Sequence, residues 1–325
     1  MQLELFKQFY QSRHLSDADY LKAEQILTKA QTILFPDGDL DEINEETLDG
    51  MIARFHKQPR LDVPTMIVFF RYFRLIKRFD LYIRLTQYTG GLWVIEAIIE
   101  RGKKYLGEQE NLLGTLTIPP LGTTPQALSF FTAQFIDHLQ ASYDEEVLKL
   151  ILAGNNHGLP ESAFAKEKQY YQASLNLEAY LKDLHQRKIA ELTEHFEEKK
   201  VWFEQEVTEE MIAFVKSNQE ILAGVLEDDY LYQTKIPYDT NRYLNAATQA
   251  EEAFYACHCP FARVSLQNQK HSISSLWCYC SAGFVKFPFE VILGRTLPVK
   301  VLKSVLNGDH ECRFAIDLRQ VDYKK

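Results

Sequence analysis

All five cysteines of this 325-residue chain follow residue 256, and they are the residues whose type and spacing are best suited to chemistry. Cys257 and Cys259 form one Cys-x-Cys doublet, Cys278 and Cys280 form a second, and Cys312 stands alone. In an extended segment, residues two apart project to the same side, so each doublet can present two sulfur atoms to one point. Four thiolates suit a tetrahedral zinc ion, and an iron–sulfur centre is a less favoured use of the same ligands. The spacing therefore predicts a metal site, with zinc as the metal, at Cys257, Cys259, Cys278, Cys280 and Cys312.

Two other uses of the cysteines stay open. Reduced cysteine is small and often buried, and both doublets have apolar neighbours, so the thiols could instead line a core or a pocket. A redox or nucleophilic role needs a base beside the thiolate, and His258, His271 and His310 are the candidates. The side chain of His258 would point away from its neighbouring thiols if that segment is extended. Spacing alone favours metal binding and reduced core thiols equally.

Four further side chains near the doublets are candidate contacts for a small ligand: Arg263, Trp277, Tyr279 and Glu290. Aromatic rings supply apolar contact area, arginine supplies a cation, and Glu290 can orient a neighbouring group. From Cys257 onward the chain has ten basic and five acidic residues, although its formal net charge is −9 overall. A basic C-terminal module of this kind could favour an anionic ligand.

The elements that must position these residues can be read from local patterns. The segment 275–280 suggests a short strand, and 281–294 suggests a helix in which Pro288 implies a kink or a late start. The runs 297–306 and 311–318 alternate between apolar and polar residues around Asn307–Gly308. That arrangement predicts a β-hairpin with Cys312 on its inward face and Arg313 exposed.

The first part of the chain has a different character. Residues 1 to about 110 have helical periodicity, and 117–126 reads as a linker because it has three prolines and no charge. We therefore predict an α+β fold, with a helical N-terminal domain followed by an antiparallel sheet packed on helices. The predicted domains are 1–120, helical, and 121–325, a cysteine-containing ligand-binding domain with its motifs in 254–318.

Three segments together carry a resemblance to a known superfamily: CHCPFAR (257–263), WCYCSAGF (277–284) and SVLNGDHECRFAIDL (304–318). They resemble vinyl-reductase-type domains and L-2-amino-thiazoline-4-carboxylate hydrolase-like proteins, which include uncharacterised bacterial members. The resemblance implies an α+β small-molecule-binding module with an antiparallel sheet packed on helices. It also implies that the cysteines, with Gly308 and Asp309, serve metal or ligand contact or act as redox-sensitive thiols.

The sequence argues against several classes of protein. The sequence has no apolar run of bilayer length and no signal-peptide pattern, so we expect a cytoplasmic protein without a membrane partner. The net negative charge argues against nucleic acid as a partner. We expect a small-molecule-binding or sensory protein whose cysteine cluster binds metal. The alternatives are a hydrolase of a small cyclic amide or amidine, using metal-bound water or a cysteine nucleophile, and a nucleic-acid-binding regulator that uses the basic helix around 71–84. Whether the chain is an enzyme, and its oligomeric state, stay open.

Overall fold

The computed structural model describes residues 1–34, 39–57, 61–88, 92–268 and 271–324. That part of the chain contains fifteen α-helices and two antiparallel sheets, so the predicted α+β class is confirmed. The chain forms two compact units. One consists of Met1–Leu92 and Pro119–Leu128, and the other of Trp93–Ile118 and Ser129–Lys325. These units alternate along the sequence, whereas the prediction placed a single boundary after residue 120.

The first unit is helical. Its helices are α1 (Leu3–Ser12), α2 (Asp17–Leu34), α3 (Glu45–Lys57), α4 (Val63–Leu75) and α5 (Phe79–Thr86). Ser16 begins α2 with a capping box, because its hydroxyl donates to Asp19 Oδ2 at 2.6 Å and accepts from the Asp19 amide at 3.1 Å. On the basic helices, Arg84 pairs with Asp49 at 2.5 Å and Arg78 pairs with Asp80 at 2.6 Å. These two basic side chains are therefore used within the unit.

The other helices lie wholly or mostly in the second unit: α6 (Leu92–Leu106), α7 (Pro125–Ser142), α8 (Glu145–Leu152), α9 (Ala165–Ala173), α10 (Leu177–Glu197), α11 (Glu209–Ser217), α12 (Thr240–Leu244), α13 (Gln249–Ala256), α14 (Ser265–Asn268) and α15 (Tyr279–Leu293). Thr208 begins α11, since its hydroxyl accepts from the Met211 amide at 3.3 Å. Single turns of 3₁₀-helix occur at Leu40–Glu42, Glu161–Phe164, Ser275–Cys278 and Val305–Asn307.

Both sheets belong to the second unit. The strands are β1 (Val201–Trp202), β2 (Gln205–Glu206), β3 (Val225–Glu227), β4 (Tyr230–Thr234), β5 (Val299–Lys303) and β6 (Arg313–Asp317). β1 pairs only with β2, and the larger sheet has the order β3-β4-β6-β5 with every pair antiparallel. The predicted hairpin is thus present as β5–β6. Gly308 closes it with φ +87°, a conformation that glycine adopts without steric cost.

Helices α10 and α15 pack on this larger sheet. Their buried apolar residues share one core with Leu231 of β4 and Ile316 of β6; from the helices it includes Leu177, Tyr180, Leu181, Leu184, Phe289 and Ile292. The stretch Ser275–Leu293 is long and apolar enough to span a bilayer, but 56% of its 18-residue window is buried inside the protein. More than half of this stretch therefore packs against other parts of the protein.

Candidate functional site

The cysteines lie at the ends of elements. Cys257 ends α13, and Cys259 follows it in a loop. Cys278 begins α15 and Cys280 is in its first turn. The predicted strand at 275–280 is therefore wrong: a 3₁₀ turn, begun by the Ser274 hydroxyl accepting from the Leu276 amide at 3.3 Å, leads directly into the helix. Residues two apart on a helix do not face the same side, so this doublet cannot present two sulfurs to one point without side-chain rearrangement.

The fold nevertheless brings the three cysteine segments to one neighbourhood, which we call the thiol cluster (Cys257, Cys259, Cys278, Cys280 and Cys312). The Cys278 thiol interacts electrostatically with the thiols of Cys312, Cys257 and Cys259, and the Cys280 thiol interacts with that of Cys259. Cys257 and Cys312 also pack in one apolar cluster with Val305. All five cysteines are reduced. Segments far apart in sequence thus bring their thiols close enough to interact electrostatically.

Three of the sulfur atoms have polar partners of different kinds. The Trp277 indole N–H donates to Cys259 Sγ at 3.3 Å. Cys278 Sγ and Ser304 Oγ are 3.0 Å apart, and Cys280 Sγ lies 3.5 Å from His157 Nε2. In the described part of the chain, no three His, Cys, Asp or Glu side chains converge as ligands of one metal ion. The thiols are neighbours, but they are not arranged as a ready ligand set.

Burial keeps the thiol cluster protonated. It raises the pKa of Cys257 and of Cys280 to about 12, and neighbouring thiols add to both shifts because two thiolates would repel. Burial likewise raises the pKa of Cys259, Cys278 and Cys312. At neutral pH the cluster is therefore a set of uncharged thiols.

The two histidines nearest the cluster are also neutral. Burial, with Lys235 as a second cause, lowers the pKa of His157 to about 4 and that of His258 well below its ordinary value. His258 Nε2 lies 2.6 Å from the carbonyl oxygen of Ile236. The other candidate bases have different partners: His271 contacts the Ser129 hydroxyl at 2.9 Å, and His310 pairs with Glu252 at 2.7 Å. Only His157 contacts a thiol among these histidines.

Two cations lie at the thiol cluster without a carboxylate partner among the described residues. Lys235 Nζ donates to Ser281 Oγ at 3.1 Å and lies 5.5 Å from the centre of the Phe284 ring. Its charge lowers the pKa of Cys259, Cys280 and Cys312 against the larger effect of burial. Arg263 is only 4% exposed. The cluster is thus a neutral, buried group of thiols next to excess positive charge.

The four predicted ligand contacts have different surroundings. Trp277 is a core residue, 1% exposed, whose ring packs against Phe261. Glu290 accepts from buried Lys286 at 2.6 Å and from the Leu297 amide at 2.9 Å, so its carboxylate is already engaged between α15 and β5. Tyr279 is partly buried and lines a surface cleft, and Arg263 is a buried cation.

A polar cleft of about 240 Å³ lies next to the thiol cluster, with Ser304 between them. Hydroxyl groups line much of it, from Ser274, Ser275, Tyr279 and Ser304, together with Lys149 and Lys303. Because Ser304 also contacts Cys278 Sγ, one wall of the cleft is in direct contact with a thiol. A small polar molecule in the cleft would lie one residue away from the cluster.

A family model described as a family of unknown function, DUF6144, matches residues 136–322. The chain belongs to this family. No significant similarity was found to any curated protein or to any solved structure. The DUF6144 region contains all five cysteines and lies within the second compact unit, so the thiol cluster is a feature of the family-matching part of the chain.

Three residues next to the thiol cluster are not among the predicted site residues: His157, Ser304 and Lys235. His157 lies in the loop after α8 and is partly buried against Cys280 and the Phe284 ring. Ser304 and Lys235 carried no motif. Their only sequence signal is position: Ser304 follows a β-strand and precedes the hairpin turn, and Lys235 follows another strand. Strand ends are common locations for functional side chains.

Proposed function

We propose that this member of DUF6144 is a cytoplasmic sensory protein that binds a thiophilic ligand, a soft metal ion such as Zn²⁺, at the thiol cluster. The observation that carries the proposal is that reduced thiols from three distant segments lie close enough to interact electrostatically, three of them also with Lys235. Thiolates are the preferred ligands of soft and borderline ions. Reduced thiols in this number also fit a reducing compartment.

Charge supports thiolate formation at this place. Four thiolates around Zn²⁺ leave a net negative charge, which is unfavourable in a buried site without a counter-charge. Lys235 supplies positive charge and has no carboxylate partner within the described ranges. Because the thiols are protonated before binding, metal uptake must release protons, and the affinity should rise with pH.

The arrangement of the donors supports a sensory role in particular. No three ligands converge among the described residues, so a metal ion has to rotate cysteine side chains or shift the ends of α13 and α15. Since Ser304 in the cleft contacts Cys278, such a shift would change the cleft. Ligand binding would then be coupled to a change in surface shape, which is what a sensor requires.

A second candidate function, a hydrolase with a cysteine nucleophile, is favoured by one observation. Cys280 lies at the N-terminus of α15, where the helix dipole stabilises a thiolate, and its sulfur is 3.5 Å from His157 Nε2. Two observations argue against it. Cys280 is only 5% exposed, and burial raises the pKa of Cys280 while it lowers that of His157, so both groups stay neutral. We therefore rank it below ligand binding.

The test is metal analysis of protein purified without added metal, followed by titration with Cd²⁺. We expect one ion per chain and the ultraviolet charge-transfer absorption of cadmium thiolates, which no other side chain gives. The double variant Cys278→Ser, Cys280→Ser should lose both. The control His310→Gln should keep both, because the His310 side chain is exposed and its imidazole pairs with Glu252 and with no thiol. Wild-type protein with neither bound metal nor cadmium-thiolate absorption would refute the proposal.

A further inference from the structure

Arg263 is a buried cation with two side-chain nitrogen atoms that have no hydrogen-bond partner in the described part of the chain. It lies in the turn after Cys259, where its amide donates to the Cys259 carbonyl at 2.9 Å. Its guanidinium carbon lies 3.8 Å from the centre of the Tyr238 ring and 5.3 Å from that of Phe254. The side-chain atoms Nε and Nη1 are buried and donate to no described residue.

Two other stacked arginines of the second unit, each paired with a carboxylate, show by comparison what Arg263 lacks. Arg187 packs on the Tyr170 ring at 4.1 Å and pairs with Glu167 at 2.7 Å. Arg313 packs on the Tyr232 ring at 4.7 Å and pairs with Glu220 at 2.6 Å. Both side chains are more than a quarter exposed and still have a carboxylate, whereas Arg263 is almost fully buried and has none in the described part of the chain.

A buried guanidinium cannot escape this imbalance by losing its proton, since arginine stays charged in proteins. More than about 90% of buried polar groups have a hydrogen-bond partner, and a buried charge also needs a counter-charge. Arg263 interacts electrostatically with Cys257 and with His258, which are both neutral and supply no counter-charge. A water molecule would satisfy the N–H donors but would leave the positive charge uncompensated.

We propose that Arg263 binds a small oxyanion, the carboxylate or phosphate group of a ligand. This ligand would lie beside the thiol cluster in the second unit. The aromatic rings of Tyr238 and Phe254 hold the guanidinium in place, and its unpartnered N–H groups donate to the anion. Lys235, the second cation without a carboxylate there, adds attraction for negative charge. This site is separate from metal binding and goes beyond it, because it recognises an anion.

The experiment is calorimetric titration of the full chain with three probes: sodium acetate, sodium phosphate and sodium sulfate, each against sodium chloride at matched ionic strength. We expect saturable binding of at least one probe. Acetate binding would assign a carboxylate ligand, and phosphate or sulfate binding would assign a tetrahedral oxyanion. Replacing Arg263 by Gln should weaken binding roughly tenfold to hundredfold, as expected for loss of charged hydrogen bonds, and Arg263→Lys should retain part of it.

The matched control is Arg313→Gln, which removes a stacked arginine that already has a carboxylate and should leave anion affinity unchanged. Circular dichroism checks that each variant is folded. If no probe saturates the wild-type protein, the proposal is overturned whether or not the variants fold. Equal affinity of wild type and a folded Arg263→Gln variant would overturn it as well. Cadmium-thiolate absorption is measured separately, so failure of the anion site and failure of the metal site are distinguishable.

Discussion

Gly283 is the residue at which a single methyl group should disturb both the fold and the thiol cluster. It lies on α15 where that helix passes the end of α8. A Cβ placed on Gly283 would lie 2.3 Å from the carbonyl oxygen of Gly154 and 2.7 Å from the carbonyl carbon of Ala153, whereas real Cβ atoms essentially never approach within 3.0 Å. These are backbone atoms, so no side-chain rotation relieves the clash.

The change Gly283→Ala should therefore destabilise the second unit. Overpacking of a close contact costs about 1 to 3 kcal/mol. The gain in helix propensity from glycine to alanine is about 1 kcal/mol and only partly offsets this. Because the clash is with backbone atoms, the cost lies at the upper end of this range, and we expect a net loss of about 2 kcal/mol in the free energy of unfolding. Moving α15 away from residues 153–154 should also lengthen the contact between Cys280 and His157, so that Cys280 becomes more accessible to alkylation.

The measurement is urea unfolding followed by tryptophan fluorescence, because all three tryptophans lie in the second unit. The matched control is Gly50→Ala in α3, where a Cβ would have no atom within 4 Å. Without a clash, that variant should stabilise the first unit by about 1 kcal/mol, observed by far-ultraviolet circular dichroism. A Gly283→Ala protein as stable as the wild type, with unchanged alkylation of Cys280, would show that the close packing of α15 has been misjudged.

Three further predictions concern buried ionisable groups. Glu290→Ala should lower the free energy of unfolding, measured with urea, by roughly 3 to 5 kcal/mol, because it leaves the buried Lys286 charge without its partner. The double change Lys286→Met, Glu290→Leu should recover most of that loss. A small effect of Glu290→Ala alone would contradict this. Burial lowers the pKa of His157 in the folded chain, so its contribution to stability is complete above pH 6.5. The free energy of unfolding should fall by roughly 3 kcal/mol as the pH falls towards 4. In His157→Asn the free energy of unfolding should depend much less on pH across that range. Iodoacetamide should alkylate Cys257 at neutral pH about a thousandfold more slowly in the native than in the denatured protein, because burial raises its pKa from 9.0 to about 12; equal rates by mass spectrometry would refute this.

The elements predicted correctly are those with local signals. The β5–β6 hairpin has period-two alternation on both sides of Asn307–Gly308. The segment 275–280 was mistaken for a strand because a short run of apolar and aromatic residues looks the same in a buried strand and in the start of a buried helix. Pro288 did not delay the helix: α15 begins nine residues before it and continues past it.

For the candidate site, too, the sequence predicts features that depend on local patterns and not those that depend on tertiary packing. The cysteines were identified by type and spacing, but the direction of each sulfur depends on the element around it. Because Cys278 and Cys280 lie on a helix, one meets the Ser304 hydroxyl and the other meets His157, which no local pattern predicts. Glu290 was expected to contact a ligand, yet tertiary packing places Lys286 one helical turn away and uses the carboxylate internally.

Charge is the property that connects the two proposed binding events. Burial removes negative charge from the thiol cluster by keeping its members protonated, while Lys235 and Arg263 keep their positive charge without a carboxylate in the described residues. A thiolate-bound metal ion and a bound oxyanion would each restore the balance, and Lys235 lies close enough to the thiols to affect both. The two ligands would therefore compete for the same positive charge. Phosphate added to the cadmium-loaded protein should weaken cadmium binding in the wild type more than in Arg263→Gln. An equal effect in both proteins would show that the two sites are not coupled through Arg263.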